Sequence, residues 1–270
     1  MKAKAVLEVV VVFCVTLILV AFAGLSPVAE WERQVLKRSF IEYIVMIGVP
    51  LLILLATRRN LAHYGISIHN LRYHLDITAT AFVPMAIGVA GAGFVNYKLW
   101  WGAFIMAGVQ IAVLFVLGRV LTPKITQDES SKIVGAILVI SFSNLAKSAF
   151  LGNAISALFF YVFFLGLGEE LLFRGYIQSR LNDAFGKPFQ FYGVHWGWGI
   201  IITSILFGLM HVLNLGSLAI GDWQLTPWWG FWTFFAGLVN GFVREKTGSI
   251  VAPTILHGLP QGIAYAILGR

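Results

Sequence analysis

Three short motifs in the second half of the chain combine carboxylates, histidines and a side-chain amide at helical spacing. The first motif runs from Gly168 to Gly175 and contains Glu169, Glu170 and Arg174. Neighbouring residues of an α-helix lie about 100° apart around its axis, so the two glutamates are predicted to face different directions. Glu170 and Arg174 are four residues apart and can form an ion pair on one face. This pairing leaves Glu169 free for a different task.

The other two motifs each place a histidine inside an apolar run. His211 follows Phe207 by four residues and precedes Asn214 by three, so His211 and Asn214 can project from one helix face. His257 and Gln261 are four residues apart and share a face in the same way. Each motif alone is also compatible with hydrogen bonding between packed helices, which is a common role of polar residues in membranes.

Taken together, the motifs predict a hydrolytic site. A carboxylate and a histidine can position and deprotonate a water molecule, and Glu169 and His211 fit this pair. A second histidine and an amide can donate hydrogen bonds to the oxyanion that forms when the water attacks an amide carbonyl. His257 and Gln261 fit this second pair.

A zinc site is the alternative reading of the same residues. Glu169, His211 and His257 make a two-histidine, one-carboxylate set that could bind zinc and leave a position open for water. However, the chain has no His-Glu-x-x-His motif, and no two of these ligands share a helix turn at metal spacing. We therefore expect a metal-free mechanism with no cofactor.

The composition requires that this site lie inside a membrane protein. Apolar residues make up 59% of the chain and charged residues 11%, against roughly 25% charged in soluble proteins. The mean hydropathy is +0.83. These values exclude a soluble domain and a disordered chain. The net charge of +7 comes from basic residues scattered between apolar runs, without a basic stripe or nucleic-acid motif, so no nucleic-acid partner is expected.

The predicted fold class is all-α, a polytopic bundle of about eight transmembrane helices with a polar catalytic cavity inside it. Runs near the length of about 20 residues that spans a bilayer give seven to nine candidates. The candidate runs are Ala5–Leu25, Phe40–Thr57, Ile77–Val95, Trp101–Leu121, Ile133–Phe150, Ala154–Gly168, Gly199–Leu218, Trp228–Val243 and Ile250–Leu268. The segment Ser26–Ser39 is predicted to be an amphipathic interfacial helix.

The first run is interpreted as an uncleaved span rather than a signal peptide, because it is long for a signal and many spans follow it. Most of the nineteen basic residues fall on the side shared with the N-terminus, which predicts a cytoplasmic N-terminus. We divide the chain into N-terminal transmembrane helices without a motif, residues 1–129, and a catalytic core, residues 130–270.

The three motifs resemble, in order and spacing, those of the CPBP family, the CAAX proteases and bacteriocin-processing intramembrane proteases. The resemblance rests on Glu-Glu-x-x-x-Arg at Glu169–Arg174, Phe-x-x-x-His at Phe207–His211 and His-x-x-x-amide at His257–Gln261. The Thr-Gly-Ser-Ile sequence at Thr247–Ile250 also fits, and the resemblance covers about residues 130–268.

The resemblance implies roles for individual residues. Glu169 and His211 would activate the hydrolytic water, and His257 with position 261 would form the oxyanion hole. Position 261 is Gln here, where the family usually has Asn. Glu170 and Arg174 would hold the first helix in place, and Asn214 would support His211.

Two functions of different classes follow from the sequence. One is an intramembrane endopeptidase acting on a membrane-associated peptide or protein, such as a prenylated CAAX end, a leader peptide or a C-terminal sorting signal. The other is a non-enzymatic bacteriocin-immunity or membrane scaffold protein of the same fold. In both cases the partner is the lipid bilayer, and the expected location is a bacterial or archaeal plasma membrane.

Overall fold

The computed structural model describes residues 2–121 and 148–268, and the chain is mostly helical, at 78%. The helices before the first gap are α1 (Lys2–Gly24), α2 (Pro27–Val35), α3 (Ile41–Ala56), α4 (Leu71–Phe94) and α5 (Trp100–Val120). The later elements are α6 (residues 148–185), β1 (Phe189–Phe191), β2 (Val194–Trp196), α7 (Trp198–Leu213), a 3₁₀ helix (Leu215–Ile220), α8 (Pro227–Thr247) and α9 (Val251–Leu268).

Several of these helices have the length and apolar composition of membrane spans. In the described part of the chain, four meet both conditions: Lys2–Gly24, Trp100–Val120, Ala154–Phe185 and Trp198–Leu218. The helix Ile41–Ala56 is apolar but shorter. The chain is therefore an integral membrane protein, while the total of about eight spans and the cytoplasmic N-terminus stay predictions. The predicted run Ile133–Phe150 lies almost entirely outside the described residues.

Helix α6 differs from the predicted run, which ended at Gly168. The structure continues the helix to Phe185 through two π-helical stretches, Phe160–Gly166 and Leu171–Gln178, separated by one α-helical turn, Leu167–Glu170. The charged motif therefore lies inside a 32-residue apolar span rather than at its end. The charges do not end the span because they are neutralised within the bundle, and π-helical turns are frequent at functional sites.

Helix α7 also ends earlier than the predicted run Gly199–Leu218. Asn214 adopts a left-handed conformation, with φ of 46°, and ends the helix one residue after Leu213. Asparagine tolerates this conformation at a helix C-terminus. His211 consequently lies in the last turn of α7, and inside the candidate span Trp198–Leu218 as predicted.

The N-terminal helix α1 is tied to α6 by a single carboxylate. Glu8 accepts hydrogen bonds from the Tyr176 hydroxyl at 2.7 Å and from Arg180 Nε at 3.0 Å, and its Oε1 lies 2.6 Å from Arg59 Nη1. Arg59 lies in the loop that follows α3. Its hydrogen bond with Glu8 raises the pKa of the guanidinium and keeps it charged. These contacts make α1 a part of the bundle.

The predicted interfacial segment contains the helix α2. Ser26 accepts the Ala29 N–H at its N-terminus and Pro27 occupies its first position, both of which favour helix initiation. Glu32 of this helix accepts the backbone N–H groups of Phe40 and Ile41, which connects α2 to the start of α3. The helix is thus confirmed, and its place at the membrane interface stays a prediction.

Glycine contacts bring α9 against α6. A Cβ at position 258 would overlap the carbonyl oxygen of Tyr161, and one at Gly262 would lie 3.2 Å from the Leu158 Cα. On the α6 side, a Cβ at Gly166 would lie 2.7 Å from the Thr254 carbonyl oxygen. Small residues let helix backbones approach closely in membranes, and here they bring the residues of the first and third motifs together.

Candidate active site

Glu170 is the centre of a hydrogen-bond cluster that joins three helices. Its Oε1 accepts Arg174 Nη1 at 3.0 Å, Asn240 Nδ2 at 3.2 Å and His257 Nδ1 at 2.8 Å. These donors come from α6, α8 and α9, and the side chains of Glu170 and Arg174 are fully buried. The predicted ion pair between Glu170 and Arg174 is therefore present. An ionised carboxylate can accept hydrogen bonds but cannot donate them. The proton in this contact is therefore on His257 Nδ1.

Arg174 is enclosed by further contacts. Its Nη2 donates to the Gly237 carbonyl at 3.2 Å, and its guanidinium lies 4.5 Å from the centroid of the Phe207 ring. A buried guanidinium needs such partners because water is absent around it. The geometry agrees with a role in holding the first motif in place.

Glu169 has a different environment from its neighbour. Its side chain is 8% exposed, and its Oε2 lies 3.6 Å from His257 Nε2, beyond hydrogen-bond distance. This oxygen is buried and has no hydrogen-bond partner among the described residues. The two glutamates thus approach opposite nitrogens of one imidazole. Glu169 is free of a direct bond to Arg174, as predicted, but it shares His257 with Glu170.

His211 stands apart from Glu169. No ion pair or hydrogen bond joins these two side chains in the described structure, so the pair predicted to activate water is not in direct contact. His211 Nδ1 lies 2.9 Å from the Phe207 carbonyl oxygen, which can only accept. The proton of a neutral His211 is therefore on Nδ1, and Nε2 keeps a lone pair that can accept a proton.

Aromatic side chains fix the position of the His211 ring. The ring lies 4.6 Å from Phe207 and 5.0 Å from Trp229, both in edge-on geometry. Phe207 also lies 5.9 Å from His257, so its ring contacts both histidines and the Arg174 guanidinium. The Phe-x-x-x-His spacing therefore places an aromatic ring in the middle of the site.

The two predicted amides differ in how they are placed. Asn214 donates its Nδ2 to the Gln224 carbonyl at 3.5 Å, and its left-handed backbone turns it away from the predicted shared face with His211. The predicted support of His211 by this side chain is thus not seen as a direct bond. Gln261 is partly buried one turn beyond His257 on α9, and its amide makes no hydrogen bond to any described residue.

Helix α8 contributes residues that the motifs did not indicate. Asn240 bonds to Glu170, Trp229 packs on His211, and Thr226, just before α8, donates to the His211 carbonyl at 2.7 Å. Asn240 could have been recognised, because it is an uncharged polar residue within an apolar helix and such residues commonly bond across helices. Trp229 and Thr226 carried no comparable signal.

The residues of the alternative zinc site do not assemble as ligands. Within residues 2–121 and 148–268, no group of three or more His, Cys, Asp or Glu side chains has the geometry to hold a metal ion. His257 Nδ1 bonds to Glu170 and His211 Nδ1 bonds to a backbone carbonyl, so each histidine has only its Nε2 atom left for another partner. The metal-free mechanism stays a prediction.

Buried carboxylates and imidazoles that converge inside an apolar helix bundle indicate a functional site. The family comparison is more specific. The model of the family described as Rce1-like, type II CAAX prenyl endopeptidase Rce1-like, matches residues 151–262, which contain all three motifs. The match supports the resemblance of these residues to the CAAX proteases. No curated protein and no solved structure matches the chain.

Proposed function

We propose that the protein is an intramembrane endopeptidase that hydrolyses a peptide bond in a membrane-associated substrate by the action of a glutamate-activated water. The observation that carries this proposal is the Glu169 carboxylate. Its Oε2 is buried without a hydrogen-bond partner, 3.6 Å from a histidine nitrogen. Burying such a group without a hydrogen bond costs several kcal/mol, and the 3.6 Å ion pair with His257 offsets only part of that cost. An atom left in this state is available for a water molecule or a substrate.

Glu169 and His211 together activate the water in this mechanism. The Glu169 carboxylate takes a proton from the water as its oxygen attacks the scissile carbonyl carbon. The lone pair on His211 Nε2 accepts a hydrogen bond from the second O–H of the same water and orients it, while that proton stays on the oxygen. When the C–N bond breaks, the proton held by Glu169 passes to the leaving amine, and the carboxylate is restored.

His257 and Gln261 stabilise the oxyanion. With Glu169, Glu170 and Arg174 charged, the cluster is electrically neutral when His257 carries protons on both nitrogens. Nδ1–H then donates to Glu170, and Nε2–H, which is 3.6 Å from Glu169, remains able to donate to the oxyanion. The Gln261 amide supplies the second donor, since it has no other hydrogen bond to a described residue.

Three substrate classes are to be tested: a prenylated CAAX end, a leader peptide and a C-terminal sorting signal. The purified protein in detergent micelles is incubated with one internally quenched peptide of each class. We expect cleavage of at least one peptide, with the products located by mass spectrometry. Glu169→Ala and His211→Ala should each abolish this cleavage while membrane insertion is retained. If both variants cut at the wild-type rate, the proposed mechanism is wrong.

Metal dependence is measured on the same preparation. Activity that persists in excess chelator supports the metal-free mechanism, and complete loss that zinc restores would overturn it. This measurement is needed because zinc could be held by a rearranged set of the same side chains.

A non-enzymatic immunity or scaffold protein is the second candidate. The cluster around Glu170 favours it, because bonds that join α6, α8 and α9 are also what a purely structural bundle would need. Glu169 distinguishes the two functions. A protective or assembly function should survive Glu169→Ala, since this carboxylate contributes no hydrogen bond to the bundle, whereas the protease should not.

A further inference from the structure

Among the described residues, Asn240 is the hydrogen-bond partner of Glu170 that lies outside the three motifs. It sits on α8 with 3% of its surface exposed, and its Nδ2 donates to the same Oε1 that receives Arg174 and His257. Arg174 belongs to the same helix as Glu170, four residues away. Asn240 is therefore the only side chain of α8, among the described residues, that bonds directly to the catalytic cluster.

The position of the Glu170 carboxylate depends on how its three donors are arranged. Arg174 approaches along α6, so it restrains Glu170 but allows rotation of the carboxylate around that contact. Asn240 supplies a donor from a different helix, so the carboxylate is held from two independent directions. His257 Nδ1 then meets a fixed acceptor at 2.8 Å. A ring held at one nitrogen by a fixed acceptor has a defined tautomer and orientation.

We propose that Asn240 is a positioning residue that holds the Glu170 carboxylate against His257 Nδ1 and thereby directs His257 Nε2 into the catalytic site. The proposal rests on the proposed function of His257 as an oxyanion donor. Asn240 does not touch the substrate in this scheme. It acts through Glu170, and its effect should be on the turnover step and not on substrate affinity.

Two substitutions test this role. Asn240→Leu removes the donor while keeping a side chain of similar length, and Asn240→Asp keeps the shape but turns an acceptor toward Glu170. We expect kcat to fall on the order of tenfold for Asn240→Leu, the scale of one lost hydrogen bond to a charged group, with KM unchanged. Asn240→Asp should lose more, because two carboxylates then face each other.

A matched control is provided by Gln178, which also bonds from α6 to α8. Its Nε2 donates to the Gly241 carbonyl at 3.1 Å and to Glu245, and it has no bond to Glu170. Gln178→Leu should lower thermal stability but leave kcat within about twofold, since it weakens the same helix pair without touching the cluster. A loss of kcat in this control equal to that in Asn240→Leu would overturn the proposal, because general loosening of α6 and α8 would then explain both.

A spectroscopic readout separates the proposal from the proposed function. Protein labelled with ¹⁵N-histidine in micelles is compared by NMR, and the His257 signals are assigned by their absence in His257→Gln. We expect the Nδ1–H proton of His257 to be observed at low field in the wild type and in Gln178→Leu, and to broaden or move upfield in Asn240→Leu. An unchanged signal in a folded Asn240→Leu protein refutes the positioning role, whatever happens to kcat. If no peptide is cleaved by the wild type, the proposed function fails, and the NMR comparison still decides the role of Asn240.

Discussion

Glu169 and Glu170 are adjacent in sequence, yet the structure predicts opposite consequences when each is replaced by its amide. Glu170 accepts three hydrogen bonds on one oxygen, two of them from groups that carry or can carry positive charge. Glu169 Oε2 has no hydrogen-bond partner among the described residues. The substitutions Glu169→Gln and Glu170→Gln differ by one position and change the same atoms, so each is a control for the other.

The change in the free energy of unfolding depends on what Arg174 loses in each variant. In Glu170→Gln, the fully buried guanidinium keeps a hydrogen-bond acceptor but loses the charge that neutralises it. Breaking a buried ion pair by removing one charge costs about 3–5 kcal/mol, and the remaining amide oxygen places this case near 3 kcal/mol. Glu169→Gln removes a buried charge without removing a hydrogen bond, and His257 restores the neutrality of the cluster by releasing its second proton, so the free energy of unfolding should change by less than about 1 kcal/mol.

Thermal unfolding in one detergent, followed by tryptophan fluorescence, measures the difference. We expect Glu170→Gln to unfold roughly 6–12 °C below the wild type, given about 2–4 °C per kcal/mol for a chain of this size. Glu169→Gln should unfold within a few degrees of the wild type and yet have no peptidase activity. Equal unfolding temperatures for the two variants, or a larger loss for Glu169→Gln, would refute the assignment of a structural role to one glutamate and a catalytic role to the other.

Three further substitutions test the parts that surround this pair. Gly258→Ala should destabilise the protein by about 1–3 kcal/mol and reduce peptidase activity, because its Cβ would overlap the Tyr161 carbonyl. The control Gly108→Ala, which has no atom within contact distance of its Cβ, should be neutral or stabilising. Equal unfolding temperatures for the two variants would contradict this. Glu8→Ala should lower the free energy of unfolding by about 2 kcal/mol, because the hydrogen bonds of the charged carboxylate to Tyr176 and Arg180 are lost. An N-terminal epitope tag should remain on the mature wild-type protein, and its loss would show that α1 is cleaved. Gln261→Ala should lower kcat about 100-fold while Gln261→Asn keeps most of the activity, and a change confined to KM would exclude an oxyanion role.

Hydrophobic length predicted most helices well because it depends only on local sequence. The predicted run Phe40–Thr57 corresponds to the helix Ile41–Ala56, and the predicted run Trp101–Leu121 corresponds to the helix Trp100–Val120. The prediction was wrong at the end of α6, which depends on other parts of the molecule. The predicted run ends before Glu169 and Glu170, because the partners from α8 and α9 that stabilise these residues inside the span are distant in sequence.

The same distinction applies to the site. The Glu170–Arg174 pair was predicted correctly because both residues are on one helix, where spacing determines proximity. The contact between the two glutamates and His257, and the separation of Glu169 from His211, depend on how α6, α7 and α9 cross. Spacing within a helix contains no information about such crossings, so the sequence could not predict that His257, rather than His211, lies next to Glu169.

The crossing itself is determined by residues with no chemical role. Packed helices usually lie 8–10 Å apart, according to the side chains at their contact. Gly258 follows His257 directly, and the absence of its side chain lets the backbone of α9 meet the Tyr161 carbonyl in the first π-helical stretch of α6. A larger residue there would move α9 outward, and a shift of about 1 Å is enough to lose a hydrogen bond such as the 2.8 Å contact between His257 and Glu170. The glycine beside His257 therefore determines how closely α9 approaches α6, and with it the contact between His257 and Glu170.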